Sequence, residues 1–274
     1  MKVNQKPSVT ELGATLVIGM GEVGGALAEV LEHSGPVLRH DLEPIDFRQP
    51  IGVMHLCFPF KSQLQFNRAA VSYVRRFRPT LVIVHSTVLP GTTRMIASAS
   101  GSDVAYSPVR GKHVRMQQDL LRYAKFVAAP DEIVAAKAET YLQKAGMMTR
   151  RMSRLEALEL AKLAETSYFG VLIAFAQELK RCADRVEADY REVTDFFTEI
   201  DFLPRVQYQP GFIGGHCVIP NFNLLLEVEP SLLLKAVLDL NRRKAAELRP
   251  EASQSEACTN YASEPDDEKL LVNR

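Results

Sequence analysis

Three observations predict an α/β protein in which a mostly parallel sheet is followed by an all-helical domain. Short apolar runs alternate with amphipathic stretches through the first half of the chain, and a glycine-rich turn follows the first run. Beyond residue 153 the alternation gives way to one long helical pattern.

The elements follow in order. Thr15 to Ile18 reads as the first strand, Gly19-Met20-Gly21-Glu22-Val23-Gly24 as the turn after it, and Val23 to His33 as a helix. Val37 to His40, Gly52 to Cys57, Leu81 to His85, Val104 to Tyr106 and Phe126 to Ala129 are further strands, with helices at Gln63 to Arg76 and Glu132 to Ala145. Arg154 to Ala188 holds no proline and a single glycine, Gly170. Its apolar residues recur at helical spacing through Leu155, Leu158, Leu163, Tyr168, Leu172, Phe175 and Leu179, which predicts one continuous helix. Shorter helices are expected at Val193 to Ile200 and Leu232 to Leu248, separated by a glycine-rich loop from Pro210 to Cys217. After Pro250 the composition turns to Ser, Glu, Asp and Asn, that of a disordered tail. The expected division is a nucleotide-type sheet domain over 1–152, a helical dimerisation and substrate domain over 153–250, and a tail over 251–274.

Composition narrows the function classes. The 33 basic residues cancel the 33 acidic ones, so no net field draws the chain to nucleic acid or an anionic membrane. No run is apolar enough to span a bilayer, and the first residues lack the apolar core of a secretory signal, so a cytoplasmic protein is expected. Cys57, Cys182, Cys217 and Cys258 form no CxxC pair, which argues against a zinc site and a disulfide framework. Cys57, at a strand end, reads as a packing residue, and His85 as a marginal ligand contact.

The strand, turn and helix in that order make a Rossmann-type dinucleotide site. The first glycine permits the bend, the second lets a pyrophosphate approach the backbone, and the third allows close packing of helix on strand. Gly19, Gly21 and Gly24 fill those places. Free N–H groups at the start of the Val23 helix face the phosphates. Asp41, ending the second strand, is placed to accept from the adenosine ribose and disfavours a 2'-phosphate, so the expected cofactor is NAD. Met20, Glu22 and Val23 in the turn, with Phe58, Ser86 and Thr87 after the third and fourth strands, complete the expected cofactor set.

Four segments carry a resemblance: VIGMGEVGGALAEVL at the start, HSTVLPGTTR ending at Arg94, ELAKLAETSYFGVLIAFAQEL over Glu159 to Leu179, and PGFIGGHCVIP over Pro210 to Pro220. Together they resemble the UDP-glucose/GDP-mannose dehydrogenase family, most nearly its UDP-N-acetylmannosamine branch. The resemblance implies NAD-dependent oxidation of a sugar's primary alcohol, with a cysteine trapping the aldehyde as a thiohemiacetal. It assigns Cys217 as nucleophile, Lys162 as oxyanion stabiliser and Thr87 as the threonine beside substrate and nicotinamide. Thr166 and Asn221 stand at two further catalytic positions, and Phe212, Gly214, Gly215 and His216 form, with Lys162, the substrate-binding set. It also implies a homodimer through the long helix, 154–188.

The chain departs from the family pattern. Thr166 replaces an asparagine, Asn221 an aspartate and Val109 a glutamate, and the family's C-terminal nucleotide-binding domain is not matched. Neither Asn221 nor Val109 can activate water as a carboxylate does. Oxidation through one hydride transfer, a smaller substrate and a further subunit completing the site are therefore open. Two other readings stand beside it: a non-catalytic NAD or nucleotide-sugar binding scaffold, and a 3-hydroxyacid dehydrogenase-like enzyme.

Overall fold

A computed structural model describes residues 13–42, 49–197, 200–201, 203 and 208–248. The expected tail, 251–274, lies outside the described residues. Those up to Leu163 and those from Ala164 form two compact units. No helix among the described residues is long and apolar enough to cross a membrane.

In the first unit, β1 (Ala14–Ile18), β2 (Val37–His40), β3 (Ile51–Leu56), β4 (Leu81–Val84) and β5 (Val104–Tyr106) form a parallel sheet in the order β2-β1-β3-β4-β5. The strands are apolar at nearly every position because both faces are covered. Alternate residues go to opposite sides. Val17, Val53, Ile83 and Ala105 pack with Leu27, Val30 and Leu31 of α1 (Glu22–Glu32) and with Val134, Ala138 and Leu142 of α5 (Glu132–Lys144). Leu16, Ile18, Met54, Leu56, Val82 and Val84 pack with Phe66, Ala70 and Val74 of α2 (Gln63–Phe77) and Ile96 of α3 (Thr92–Ser100). Each such side chain, fully buried, contributes about 1.5–3 kcal/mol before entropy is counted. Ser62 caps α2 by accepting from Gln65 N at 3.4 Å, and Asp131 caps α5 by accepting from Ile133 N at 2.6 Å.

The run expected at Phe126 to Ala129 does not extend this sheet as a strand. It appears as β6 (Lys125–Val127), paired in parallel with β7 (Thr149–Arg151) in a two-stranded sheet. The link to β5 is a lone antiparallel bridge in which Tyr106 and Ala128 exchange main-chain bonds at 2.8 and 3.0 Å.

The long helix α6 (Leu155–Arg185) starts in the first unit and runs into the second. In the second unit, α7 (Tyr190–Asp195) starts earlier and stops sooner than the Val193 to Ile200 expected. Asp189 sets the start, accepting from Arg191 N at 2.7 Å and Glu192 N at 3.2 Å. A helix the sequence pattern hid, α8 (Val218–Val228), begins at the end of the glycine loop. Its Pro220 sits in the first turn, where the missing N–H has no helical partner to lose. Gly170 lets α8 approach α6: a Cβ there would lie 2.4 Å from the Phe222 ring. Phe222, Ile173, Leu234 and Val237 centre this core, the last two from α9 (Leu232–Glu247).

Candidate functional site

The strand ladder continues past the carboxyl ends of the sheet. Gly19 N donates to His40 O at 2.9 Å, Cys57 N to Ile18 O at 2.8 Å, His85 N to Leu56 O at 2.9 Å and Ser107 N to Val84 O at 2.9 Å. These bonds line up the β1–α1 turn, Asp41, Cys57-Phe58, Ser86-Thr87 and Ser107 along one edge. Because β1 lies between β2 and β3, the order of the strands reverses there, and in open parallel sheets ligands bind at the carboxyl ends beside such a reversal.

The three glycines of the turn occupy three different situations. Gly19 has φ +91°, and a Cβ on it would meet Phe58 N at 2.7 Å. Gly24 is packed so closely on the turn that its Cβ would lie 1.7 Å from Gly19 O. A Cβ on Gly21 would meet nothing within 4 Å, leaving the backbone there open to a ligand. Glu22 opens α1 and pairs with His113, while Met20 and Val23 pack on the core. Asp41 is exposed directly after β2. Phe58 is half-buried against Phe66, with ring centroids 4.6 Å apart, and Ser86 Oγ donates to Phe58 O at 2.6 Å. Thr87 follows, half-buried.

The segment after Thr87 is fastened to the start of α6. Glu159, fully buried, accepts from Gly91 N at 2.6 Å and Thr93 N at 2.9 Å, and so caps α3 from another helix. Burial raises its carboxyl while those donors hold it down. One turn earlier Arg94 Nε donates to Glu156 at 2.6 Å. Lys162, half-buried, lies one turn beyond Glu159, and Thr166 one turn beyond Lys162.

Beside the strand ends lies a buried polar cluster that the sequence reading missed. Lys125 Nζ donates to Ser107 O at 2.7 Å and Pro108 O at 3.1 Å. Burial pulls its ammonium down to about 7, with Lys162 and Arg110 pushing the same way and Cys57 opposing. His85 Nδ1 shares the Ser107 carbonyl at 2.7 Å, His85 Nε2 lies 2.8 Å from His55 Nδ1, and Tyr141 joins His55 to Thr15. Burial pulls His55 down to about 3 and His85 well below the usual imidazole range. His85 is therefore a core residue, sealed from any ligand. Burial pushes the Cys57 thiol up to about 12, against the pull of Lys125, so Cys57 stays a neutral thiol. Val109, in the segment these bonds fix, packs into the apolar core.

In the second unit the glycine loop is held from two helices. Asn241 on α9 accepts from Ile213 N at 2.7 Å and donates to Ile213 O at 2.9 Å, as a neighbouring strand would. Gln177 on α6 donates to Gly211 O at 2.5 Å. Gly215 has φ +72°, which favours glycine, and Phe212 and His216 are exposed. Gly214 and Gly215 lead the chain to Cys217, the N-cap of α8, where the helix dipole favours negative charge. Asn221 lies one turn further along α8, 6% exposed.

The chain is similar to known proteins in sequence and in fold. Residues 156–243 match the model of the UDP-glucose/GDP-mannose dehydrogenase family, central domain. The UDP-N-acetyl-D-mannosamine dehydrogenase of Methanocaldococcus jannaschii is 23% identical over 188 residues, 66% of this chain and 44% of its own. That of Pyrococcus horikoshii is 28% identical over 183 residues, 62% of this chain and 43% of its own. The chain thus spans less than half the length of these curated relatives. Among solved structures, UDP-D-ManNAc dehydrogenase from Pyrococcus horikoshii shares the fold with a TM-score of 0.74 at 20% identity, over 85% of this chain and 69% of that one. A Mycobacterium tuberculosis 3-hydroxyisobutyrate dehydrogenase structure with L-serine does so at 0.69 and 17% identity, over 86% and 94%. Over residues 156–243 the chain is thus similar to the central domain of the UDP-glucose/GDP-mannose dehydrogenase family.

Proposed function

We propose that the protein is an NAD-dependent dehydrogenase that oxidises a primary alcohol or aldehyde of a nucleotide-sugar-like or related polyol substrate. The observation that carries this reading is the β1–α1 turn, closed at Gly19 and Gly24 and open at Gly21, at the carboxyl edge of a parallel sheet. Gly21 and the first N–H groups of α1 would hold the pyrophosphate, and Asp41 the adenosine ribose. Bound there, NAD would supply the hydride acceptor for the reacting carbon. The alcohol carbon loses that hydride and its oxygen a proton, giving an aldehyde. Lys162 stabilises negative charge on this oxygen, and Thr87 orients it. The Cys217 thiolate adds to the aldehyde carbon. The thiohemiacetal so formed would lose its hydroxyl proton and a second hydride, for which a second NAD is the acceptor, and become a thioester that water cleaves to carboxylic acid and thiol.

With Val109 in the core and Asn221 beside Cys217, no carboxylate stands at either position to activate that water. The ratio of NADH formed to substrate consumed reads the outcome: two for the full oxidation, one for a reaction ending at the aldehyde. Turnover is tested at 340 nm across UDP-, GDP- and dTDP-sugars and free polyols, with Cys217→Ser in parallel. Unchanged turnover in that variant overturns the thiol mechanism, and NAD binding without turnover on any substrate favours a binding scaffold.

A second reading is a 3-hydroxyacid dehydrogenase, since a Mycobacterium tuberculosis 3-hydroxyisobutyrate dehydrogenase shares this fold. It requires no thiol, so adding 3-hydroxy acids to the panel separates the two. We also propose a homodimer through α6. Tyr168 and Phe175, seven residues apart, are 57% and 61% exposed, with Leu172 and Leu179 half-buried on the same stripe. Sedimentation of the wild type against Phe175→Glu tests the pairing. A cytoplasmic setting would keep the three described cysteines as the free thiols observed.

A further inference from the structure

Between Ile51 and Ser102 the chain carries Lys61, Arg68, Arg75, Arg76, Arg78 and Arg94 and no Asp or Glu, although the charges of the whole chain cancel. This stretch supplies α2 and α3, so one face of the sheet is covered by two helices without an acidic residue. The helices packed on the other face, α1, α4 (Met116–Arg122) and α5, all carry acids, Glu29, Asp119 and Glu139 among them. Two of the basic groups are engaged nearby. Arg94 pairs with Glu156, and Arg76 lies over the Phe77 ring, 5.0 Å from its centroid.

Arg75 and Arg78 meet at an open pocket of about 420 Å³, which they line with Val74, Pro79, Ser100 and Ser102. The pocket lies where α2 and α3 end and where β4 and β5 begin, at the opposite edge of the sheet from the β1–α1 turn. Each helix end presents roughly half a negative charge, which Arg75, Arg76 and Arg78 together outweigh. Arg75 Nη2 donates to Ala99 O at 3.2 Å, tying the two helix ends together and leaving the other N–H groups of its guanidinium to donate elsewhere. The Arg78 guanidinium makes no hydrogen bond or ion pair among the described residues. Asp103, the next acid along the chain, is committed to Lys137 at 2.6 Å.

Arg78 stands at φ +47°, in the left-handed region, as the C-cap of α2, where glycine commonly ends a helix. A long side chain held in a conformation that favours glycine points to a use for that side chain. We propose that this pocket binds a small phosphate-bearing molecule, with Arg75, Arg78 and the Ser102 hydroxyl donating to its phosphate oxygens. The planar guanidinium fork matches the spacing of phosphate oxygens, and a pocket of this volume admits a diphosphate or a sugar phosphate. The site is separate from the proposed cofactor turn and does not depend on it.

Backbone amide NMR of the full chain, titrated with inorganic pyrophosphate and separately with glucose 6-phosphate, reads this pocket apart from the β1–α1 turn. Saturable movement of the Arg78, Gly101 and Ser102 amides is expected. Arg75→Gln and Arg78→Gly should each weaken that binding about tenfold and leave any movement at Gly21 and Glu22 unchanged. Arg78→Gly suits the left-handed backbone, so it removes the charge without straining the helix end. Tighter binding of pyrophosphate assigns a diphosphate as the ligand, and tighter binding of glucose 6-phosphate a sugar phosphate. Absence of saturable movement at these amides in wild type, or binding of wild-type strength in both variants, overturns the site. Movement with an acidic peptide alone overturns the small ligand and assigns the patch to a protein partner.

Discussion

Exchanging Gly21 and Gly24 separately for alanine should dissociate folding from cofactor binding. In Gly24→Ala the new methyl carbon would sit 1.7 Å from Gly19 O, half the 3.4 Å at which ordinary contact begins. The obstacle is the Gly19 main chain, and Phe58 N stands close behind it, 2.7 Å from where a Cβ on Gly19 would lie. Helix α1 must lift from the strand, at about 3 kcal/mol or more. That corresponds to a fall in Tm of roughly 5–10 °C. Gly21 has φ −69°, which alanine adopts freely, and no neighbour within 4 Å. Losing glycine at an N-cap costs up to about 1 kcal/mol, offset by ~0.4–1 kcal/mol from a less flexible unfolded chain. The melting point of Gly21→Ala should therefore stay within about 2 °C of wild type. Its methyl nevertheless stands where the pyrophosphate must approach, and NAD affinity should fall by about tenfold or more, ~1.4 kcal/mol. Differential scanning calorimetry and NAD titration read the two effects. A Gly24→Ala protein as stable as wild type, or a Gly21→Ala protein that binds NAD undiminished, would refute the reasoning.

Acid should weaken the first unit through its buried imidazoles. His55 is held at about 3 in the fold, below the ~6.5 of an unfolded chain, so the unfolded state takes the proton first as pH falls. Stability from this group is complete above about pH 6.5 and is lost toward pH 3 at about 1.4 kcal/mol per pH unit. Urea unfolding at several pH values should show a shallower decline in His55→Gln, and an identical decline would reject the assignment. Asn241→Leu leaves Ile213 N and O unpaired in a buried loop and should cost roughly 2–4 kcal/mol, read as a lower urea midpoint. Glu159→Gln turns one acceptor toward Thr93 N or Gly91 N into a donor and should cost about 1–3 kcal/mol, with faster hydrogen exchange in α3 than in α5. Uniform exchange in both helices would count against a local clamp.

What the sequence disclosed depended on how near the cause lay in the chain. The β1–α1 turn was legible because Gly19, Gly21 and Gly24 act within one turn of each other. The strands were legible because a sheet covered on both faces demands unbroken apolar runs. By contrast α8 was hidden by Pro220, which marks a helix end in most contexts and here occupies a first turn. The clamps were hidden because each joins remote positions: Asn241 to Ile213, Glu159 to Thr93, Lys125 to Ser107. A lysine inside an apolar strand, as in Ala124-Lys125-Phe126-Val127, was the available signal for the last, since a buried ammonium requires partners. Nothing local in Gly111 to Arg115 announced that His113 would meet Glu22.

The carbonyl of Ser107 can only accept, and this fixes the direction of every bond in the buried cluster behind it. His85 must carry its proton on Nδ1, leaving Nε2 bare to receive from His55 Nδ1. His55 Nε2 then receives from the Tyr141 hydroxyl, whose oxygen receives in turn from Thr15. Both rings are thereby confined to one tautomer. The row cannot be reversed, because its last member has no proton to send back and cannot hold one. Although four polar side chains cross the sheet domain in sequence, they conduct nothing: the row is an insulator, and no proton released at the strand ends can leave along it.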